Sequence, residues 1–552
     1  MRNNYTKGTA GGPKGLVLRY KDYGSGDSEK FEFYLKDRNQ CFYRKQIRGY
    51  CDDSRRILKE LEHIRKKEKD YERLYRLLYI KDIYIIAYEN LRRNKGAGSN
   101  YSTKVKIGVD GFRLEKEIDE IVELMKMESY QFGPVNRRMM PKKRGGHRLL
   151  GMSSFRDKIV QEAMRIILNE VFEKSFEATS HGYRKQRSAH TACRDVKVLF
   201  KGSKWMINID ISKCFDSLDH HVLINKLRTK INDERFINLI WKWLRAGYLE
   251  NWMVYKSSLS GIPQGGVLSP LMSNIYLDEL DKAMERIMSR ENWKVRRDPL
   301  RRKLKGAKEE QSGVTKNMDD TTYKRVRYVR YADDFLCGVA GSKEFAMQIY
   351  KEMIAKINHL KLEVNKEKSK VVHSSVETEF LGVFISIPRH KERKVTKVTR
   401  YRGGEVQRYK SKVGVMRVKF RADVRKMILK LKEGSFIEKN NTPKPKFQWY
   451  SLMPEEIVKN YNSVLRGILN YYSFVDNYSS LAWSVDHLLK QSLLRLLAAK
   501  LKLGRRSVVY KKFGWNIKVG SKISYAGKRS YIKSRMTFRK SVNDNLDGLY
   551  IK

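Results

Sequence analysis

Two adjacent carboxylates, Asp333 and Asp334, sit in the run Arg327-Tyr-Val-Arg-Tyr-Ala-Asp-Asp-Phe-Leu-Cys-Gly-Val-Ala340. Val326, Tyr328 and Val329 lead in, and Phe335, Leu336, Val339 and Ala340 lead out. The run therefore reads as a tight β-hairpin with acids at its tip. Neighbouring side chains on extended backbone point apart, so one hairpin cannot by itself set both acids on one metal pair. A second acidic strand must face it, and Trp205-Met-Ile-Asn-Ile-Asp210 ends in a carboxylate. Such a set suits two-metal phosphoryl transfer. A plain turn, in which Asp-Asp only supplies turn propensity, fits the tetrapeptide equally well.

Further polar residues stand where a phosphate-bearing substrate would need them. Met140-Pro-Lys-Lys-Arg-Gly-Gly-His-Arg-Leu-Leu-Gly151 reads as a basic hairpin with Lys142 and Arg148 on its flanking strands, able to lay cations on a triphosphate. An ordinary basic surface turn reads the same way. His181-Gly-Tyr-Arg-Lys-Gln-Arg-Ser-Ala-His190 is a polar loop whose Arg184, Lys185 and Arg187 are expected to contact a nucleic-acid backbone. Asp210-Ile-Ser-Lys-Cys-Phe-Asp216 puts an aromatic, Phe215, five residues beyond the strand-end acid. Ser260-Gly-Ile-Pro-Gln-Gly-Gly-Val-Leu-Ser-Pro270 sets three glycines around the Gln264 amide, and glycines permit close approach of backbone to a ligand.

The elements that must position these groups follow from periodicity. Apolar residues at helical spacing predict helices over Asp53–Asn94, Glu115–Met127, Asp157–Phe176, Leu271–Met284, Glu344–His359, Pro454–Val475 and Ser480–Leu503. Residues 1–52, rich in glycine and aromatics, read as a loose extension. Glu291–Tyr323 reads as a charged surface loop. Val364-Asn-Lys-Glu-Lys-Ser-Lys370 and Phe380-Leu-Gly-Val-Phe-Ile385 follow the Asp-Asp hairpin.

Composition narrows the partners. The 552 residues carry 116 Lys and Arg against 62 Asp and Glu, a formal charge of +54. A basic excess of this size points to a polyanion, since phosphate contacts gain affinity by releasing counterions. Residues 385–552 alone hold 39 basic and 11 acidic residues, a net of +28. Between Lys500 and Lys540 there are fourteen cations and no acid, interleaved with Tyr510, Phe513, Trp515, Tyr525, Tyr531 and Phe538. Basic plus aromatic is the composition of a nucleic-acid groove, and Arg505, Arg506, Lys511, Lys512, Lys528 and Arg529 are its candidate contacts. A solvated basic tail is the competing reading. No run of about 18 apolar residues exists to span a bilayer. The five cysteines, Cys41, Cys51, Cys193, Cys214 and Cys337, form no C-x-x-C pair, which argues against a zinc ribbon or a disulfide framework. The N-terminus lacks a secretory apolar core.

The order of the blocks is more specific than any one of them: basic glycine hairpin, Asp-x4-Phe, Gly-Ile-Pro-Gln-Gly, Tyr-Ala-Asp-Asp, Asn-x-Glu-Lys, Phe-Leu-Gly. Over roughly residues 90–515 this resembles the reverse transcriptases of group II introns, the intron-encoded maturase family. Gly96-Ala-Gly and Gly108-Val-Asp-Gly111 look like its extra N-terminal block, and Leu465-Arg-Gly-Ile-Leu-Asn-Tyr-Tyr472 looks like part of its maturase (X) domain. Arg148-Leu-Leu-Gly-Met-Ser-Ser departs from the family's Arg-Pro-Leu-Gly-Ile-Pro, although both candidate cations remain.

The resemblance implies an α+β right-hand polymerase of fingers, palm with antiparallel sheet and helical thumb, followed by a helical maturase domain and a basic tail. The implied divisions are residues 1–85 (extension and helical lead-in), 86–385 (fingers and palm), 386–503 (thumb and maturase domain) and 504–552 (a basic, DNA-binding tail). It implies that Asp210 and Asp333 bind two Mg²⁺, with Asp334 the third carboxylate and the Ile211 carbonyl a further ligand. Lys142 and Arg148 would hold the incoming dNTP, Phe215 would gate against a ribose 2′-OH, and Gln264 would face the new base pair. Lys368 matches the late lysine block, and Phe380-Leu-Gly382 would border the primer. The implied partners are group II intron RNA, an RNA template with a DNA primer, dNTPs and a DNA target site, with no membrane. The chain ends at Lys552 without a zinc or His-Asn-His endonuclease module, so second-strand cleavage is not expected. The implied function is RNA-directed DNA polymerisation together with binding of the intron RNA for splicing and mobility. A splicing-only maturase and a non-intron reverse transcriptase are the alternatives. Abundant Lys, Tyr, Ile and Asn suit an AT-rich mitochondrial genome; plastid and bacterial cytoplasm are the other settings.

Overall fold

The computed structural model describes residues 57, 59–64, 66, 71–92, 111–141, 147–250, 253–255, 260–297, 324–388, 393–400, 406–413, 417–438, 440–520 and 523–527. Helices α1 (Lys81–Arg92) and α2 (Gly111–Lys126) lead into a hairpin of β1 (Val135–Pro141) and β2 (His147–Met152). Then come α3 (Phe155–Phe172), α4 (Ala189–Leu199), β3 (Trp205–Ile209), the short α5 (Cys214–Ser217), α6 (His220–Arg228) and α7 (Glu234–Leu244). Short strands β4 (Tyr248–Glu250) and β5 (Met253–Tyr255) extend the β1–β2 hairpin into a four-stranded sheet ordered β2-β1-β4-β5.

A long helix, α8 (Ser269–Arg297), precedes the central hairpin of β6 (Arg325–Tyr331) and β7 (Asp334–Ala340). Helix α9 (Lys343–His359) and β8 (Lys370–His373) follow. The resulting antiparallel sheet has the order β6-β7-β3-β8. Beyond its first residue, the inner strand β7 is apolar on both faces because both are covered. Ile207, Ile209, Phe335 and Cys337 pack with the helices of the first half of the chain. Met206, Val329 and Leu336 belong to a second core shared with the C-terminal helices.

That second core is built on a sheet ordered β13-β10-β9, from β9 (Thr378–Phe380), β10 (Val383–Ser386) and β13 (Lys419–Ala422). Between β10 and β13 runs a separate antiparallel ribbon of β11 (Arg393–Arg400) and β12 (Val406–Val413). Helices α10 (Val424–Glu433), α11 (Pro454–Tyr471), α12 (Tyr478–Lys500) and α13 (Arg506–Phe513) complete the described chain with a small hairpin at 518–524. Leu481, Val485, Leu489, Leu493 and Leu496 form the buried stripe of α12, and the Tyr461 hydroxyl and Ser492 Oγ meet at 2.8 Å between α11 and α12.

Two expectations are corrected. The helical pattern over Asp53–Asn94 is not one helix. Tyr71 leaves it to bridge Ile231, exchanging backbone hydrogen bonds with Lys230 and Asn232 at 3.0 Å each. A 3₁₀ turn over Tyr75–Tyr79 then restarts the chain before α1. The stretch Glu291–Tyr323 does not begin as a loop, since α8 runs on to Arg297. Ile287, Met288 and Glu291 are buried, and Asn292 exchanges two hydrogen bonds with the Val326 backbone at 3.4 Å. Residues 298–323 and the extension 1–52 lie outside the described residues.

Candidate active site

The register of the central sheet assembles the acids. Ile209 of β3 pairs with Phe335 of β7, so the next residues along, Asp210 and Asp334, stand across from each other at the end of the sheet. Asp333 lies in the two-residue turn between paired Tyr331 and Asp334. Ala332, its partner in that turn, has φ +56°. The carboxylates feel one another. Burial, then Asp333, then Asp210, then Glu379 push Asp334 up to about 7. Cys214 behind the turn is pushed up to about 12, by burial first and by Asp333 second.

A buried arginine holds this turn from beneath. Arg330, fully buried, has five N–H groups, and each finds an acceptor. Nε and Nη2 grip Asp281 of α8 at 2.8 and 2.5 Å, and Nη2 also reaches Ser180 Oγ at 2.8 Å. Nη1 donates to Asn274 Oδ1 at 3.0 Å and to the Ala332 carbonyl, inside the turn, at 2.9 Å. Burial works against its charge, yet Asp281 beside it holds the guanidinium above its usual pKa. Asn274 in turn donates to the Gly182 carbonyl at 2.8 Å. Gly182 must be glycine, because a Cβ there would sit 2.3 Å from the Ala332 nitrogen.

The loop after α9 is tied to Asp210. Asn365 N donates to the Asp210 carbonyl at 2.8 Å, and Asp210 N donates to Ser369 Oγ at 3.1 Å. Asn365 Oδ1 accepts from the Glu367 and Lys368 amides, a turn closed by its own side chain. Lys368 Nζ is thereby set 3.1 Å from Asp210 Oδ2. Ile211 bridges Val364 through hydrogen bonds of its neighbours, Ser212 N to Glu363 O and Asn365 N to Asp210 O. The Ile211 carbonyl stays outside that bridge.

The substrate-facing segments are fastened to one another by backbone. Ile262 N donates to the Phe215 carbonyl at 2.7 Å and Gly261 N to Leu218 O at 2.9 Å. Gly151 N donates to the Gln264 carbonyl at 2.6 Å, which joins β2 to the Gly-Ile-Pro-Gln turn. Gly265, at φ +103°, lies so close that a Cβ would be 2.8 Å from the Gly151 carbonyl. Gln161, buried in α3, completes the junction: its amide donates to Ser153 Oγ and accepts from Val267 N, both at 3.1 Å. Phe215 is half-buried beside this turn. Arg148 stands in β2 across from Met140, while Lys142 lies outside the described residues.

Of the expected nucleic-acid contacts, Arg184 is a correction. All its N–H groups turn inward, to Glu173 Oε1 and to the carbonyls of Glu173, Phe176, Glu177 and Ser180. It braces the loop and keeps no donor for phosphate. Arg187 donates only through Nη1, to the Ala178 and Ser180 carbonyls, and Lys185 is exposed beside Glu170. Arg505, Arg506, Lys511 and Lys512 are exposed on or beside α13, and Lys528 and Arg529 lie outside the described residues.

Sequence reasoning missed Arg330, Asp281, Asn274, Gln161 and Glu379. For the first, the available signal was alternation: of the three arginines in β6, Arg330 alone shares the phase of Val326 and Tyr328. Glu379 stands immediately before Phe380-Leu-Gly and pairs with Lys426 of α10. The Phe-Leu-Gly turn itself, with Leu381 at φ +50° and Gly382 at +73°, is capped from α11: Tyr471 donates to Leu381 O at 2.9 Å.

Asp210, Asp333, Asp334 and the Ile211 carbonyl offer the hard oxygen donors that Mg²⁺ prefers. Among the described residues no three acidic, His or Cys groups close into a ready-made metal cage. An ion that keeps waters and shares substrate phosphates does not need one.

Two families match the chain in tandem: reverse transcriptase (RNA-dependent DNA polymerase) over residues 140–385, and type II intron maturase over residues 415–547. The group II intron-encoded protein LtrA of Lactococcus lactis is 38% identical over 482 residues, covering 80% of this chain and 78% of LtrA. The putative COX1/OXI3 intron 1 protein of Saccharomyces cerevisiae is 34% identical, covering 79% of this chain and 54% of that protein. An uncharacterized 91 kDa protein in the cob intron of Schizosaccharomyces pombe is 34% identical, over 86% and 61%. The reverse transcriptase domain carries the general dependence on a divalent metal. With both domains matched in tandem and 38% identity over most of LtrA, this chain belongs to the group II intron-encoded reverse transcriptases with a maturase domain.

Proposed function

We propose that Asp210, Asp333 and Asp334 hold two Mg²⁺ and that the chain extends a DNA primer on an RNA template from dNTPs. The observation that carries this is the register that brings the three carboxylates to one end of the central sheet, where burial first, and then Asp333 and Asp210, push Asp334 up to about 7. Such crowding is costly until a cation is supplied. When bound, the ions polarise the primer 3′-OH and neutralise the departing pyrophosphate. The protein's own groups do the rest. Arg330 fixes the turn, and the Asn365 loop fixes Asp210. Lys368 covers Asp210 while that carboxylate lacks a cation. Arg148 and Lys142 hold the triphosphate. Phe215, fixed by Ile262, excludes a ribose 2′-OH, and Gln264 faces the new base pair.

The C-terminal helices and basic tail bind the intron RNA through phosphate, 2′-OH and shape, which promotes splicing, and the tail meets the DNA target. A splicing-only role finds no support, because each polymerase residue named above is present in the chain. The abundance of Lys, Tyr, Ile and Asn favours a mitochondrial setting. Sequencing the flanking DNA tests both intron and setting: the frame should lie within an RNA that folds as a group II intron, inside a mitochondrial genome. For the polymerase, Asp333→Ala should abolish Mg²⁺-dependent primer extension on RNA while intron RNA is still bound. Extension retained by that variant would sink the metal assignment.

A further inference from the structure

The buried stripe of α12 leaves an opposite face on which the sequence places unusual residues for solvent. Trp483 is 58% exposed, and Trp515, beyond α13, is 72% exposed. Large exposed aromatics clustered on one face are informative where scattered ones are not. Here they are arranged as flat platforms. The Trp483 ring stacks on His487 with centroids 5.5 Å apart and planes 6° apart. Trp515 stacks on Tyr510 at 5.0 Å and 16°. Lys490 Nζ lies over both rings of the second pair, 4.3 Å from the Trp515 centroid and 5.4 Å from that of Tyr510.

Positions 483, 487 and 490 fall at i, i+4 and i+7, so the two platforms share one helix face and are separated by roughly 10 Å of axis. Past Lys490 that face turns inward at Leu494 and Leu497, and charge takes over further round the helix. Gln491 accepts from Arg506 Nη1 at 2.5 Å, which ties the start of α13 to α12. One turn on, Arg495, Lys502, Arg505 and Arg506 line an open cavity of about 530 Å³ with Ala498, Ala499 and Gly504, and no acid lines it. Arg495 is anchored to the Pro443 carbonyl, so its guanidinium has a fixed place in the wall. The single acid of α12, Asp486, is engaged by the Tyr525 hydroxyl at 3.0 Å.

We propose that this face of α12 and α13 is a track for an unpaired RNA strand, its bases stacking on Trp483 and Trp515 and a phosphate entering the four-cation cavity. The proposal rests on the reading of the chain as an RNA-binding maturase and names the form of RNA that one surface takes. Exposed ring faces recognise unpaired bases, because bases in a duplex are already stacked on each other. The cations alone would accept any polyanion. The combination of open rings with an acid-free cavity selects a single strand.

The test uses the full chain with its polymerase cleft filled by excess unlabelled hairpin template–primer. A labelled single-stranded RNA of about 12 nucleotides, its duplex, and the same strand as DNA are titrated. Trp483→Ala and Trp515→Ala should each weaken single-strand RNA binding by roughly tenfold. Duplex binding should not change, and Trp483→Phe and Trp515→Phe should restore most of the loss. The salt slope of the tryptophan variants should match wild type. Arg495→Gln, Arg505→Gln and Arg506→Gln in one chain should flatten it by about 0.7 for each phosphate no longer neutralised. Wild-type affinity in the Ala variants, equal losses for single strand and duplex, or no rescue by Phe would each overturn the track. Equal binding of the DNA strand would overturn the assignment to RNA. Wild-type primer extension measured in parallel reports the polymerase reading separately, since its absence would leave the binding result standing.

Discussion

Replacing Asp281 by asparagine leaves the shape of the site beneath the catalytic turn almost unchanged and removes the only negative charge gripping Arg330. Arg330 and Asp281 both have fully buried side chains, so no water can take over. Breaking a buried pair by neutralising one partner costs about 3–5 kcal/mol, because the other charge stays behind unpaired. That is at least about a fifth of the roughly 5–15 kcal/mol that keeps a domain folded. The geometry adds a second effect. Nη1 of the same guanidinium holds the Ala332 carbonyl, so a guanidinium that shifts takes the Asp333 turn with it. Urea unfolding followed by tryptophan fluorescence should show the stability loss, and primer extension should fall with it. The double variant Asp281→Leu with Arg330→Met separates the two effects. It removes both charges, so it should be more stable than the sum of the single losses by about 2 kcal/mol or more. Primer extension should nevertheless remain low, since the turn has lost its anchor. A single-variant cost below about 1 kcal/mol, or full activity in the double variant, would refute the reasoning.

Folded, Asp334 takes its proton near pH 7 against 3.8 in the unfolded chain, so its carboxylate destabilises the metal-free fold increasingly from pH 4 to 7 and constantly above. The side chain opens on the cleft, and screening reduces that cost to about 1–2 kcal/mol. Asp334→Asn should therefore raise the urea midpoint at pH 8 in EDTA and leave it unchanged at pH 4; equal shifts at both pH values would contradict this. Phe215→Ala should raise ribonucleotide incorporation at least about tenfold, read by alkali-sensitive products, and unchanged selectivity would remove its gating role. Tyr471→Phe should cost about 1 kcal/mol and shorten products on long templates by loosening the Leu381 turn; an unaltered product-length distribution would detach that turn from the primer.

The acids were legible because their chemistry is written locally, in short blocks whose order along the chain is itself a signal. Helix positions were legible for the same reason: apolar spacing located α9, α11 and α12 to within a few residues. What escaped depended on contacts between distant segments. Arg184 reads as a free loop cation, since the sequence displays its charge but not the four carbonyls that converge on it. Arg330 reads as one polar residue in a strand until α8 delivers Asp281 to it across 49 positions. The break at Tyr71 follows from a bridge to Ile231, which no local pattern announces.

The tandem match to two families suggests two modules, yet the packing makes them one body of apolar contacts. Met206, Val329 and Leu336 lie on strands that carry or flank the catalytic acids, and their side chains are buried in the same core as Tyr461, Leu465 and Leu489 of the maturase helices. Each such side chain contributes about 1.5–3 kcal/mol by leaving water. Polar links follow the same route. Tyr471 of α11 holds the Leu381 carbonyl, and Lys426 of α10 pairs with Glu379, whose charge reaches Asp334. RNA bound on the maturase helices would therefore act on the same core that sets the catalytic turn. A polymerase half without those helices would expose one face of its own palm sheet. The splicing and copying halves of this chain are separate in sequence, but the back of the palm gives them a common core.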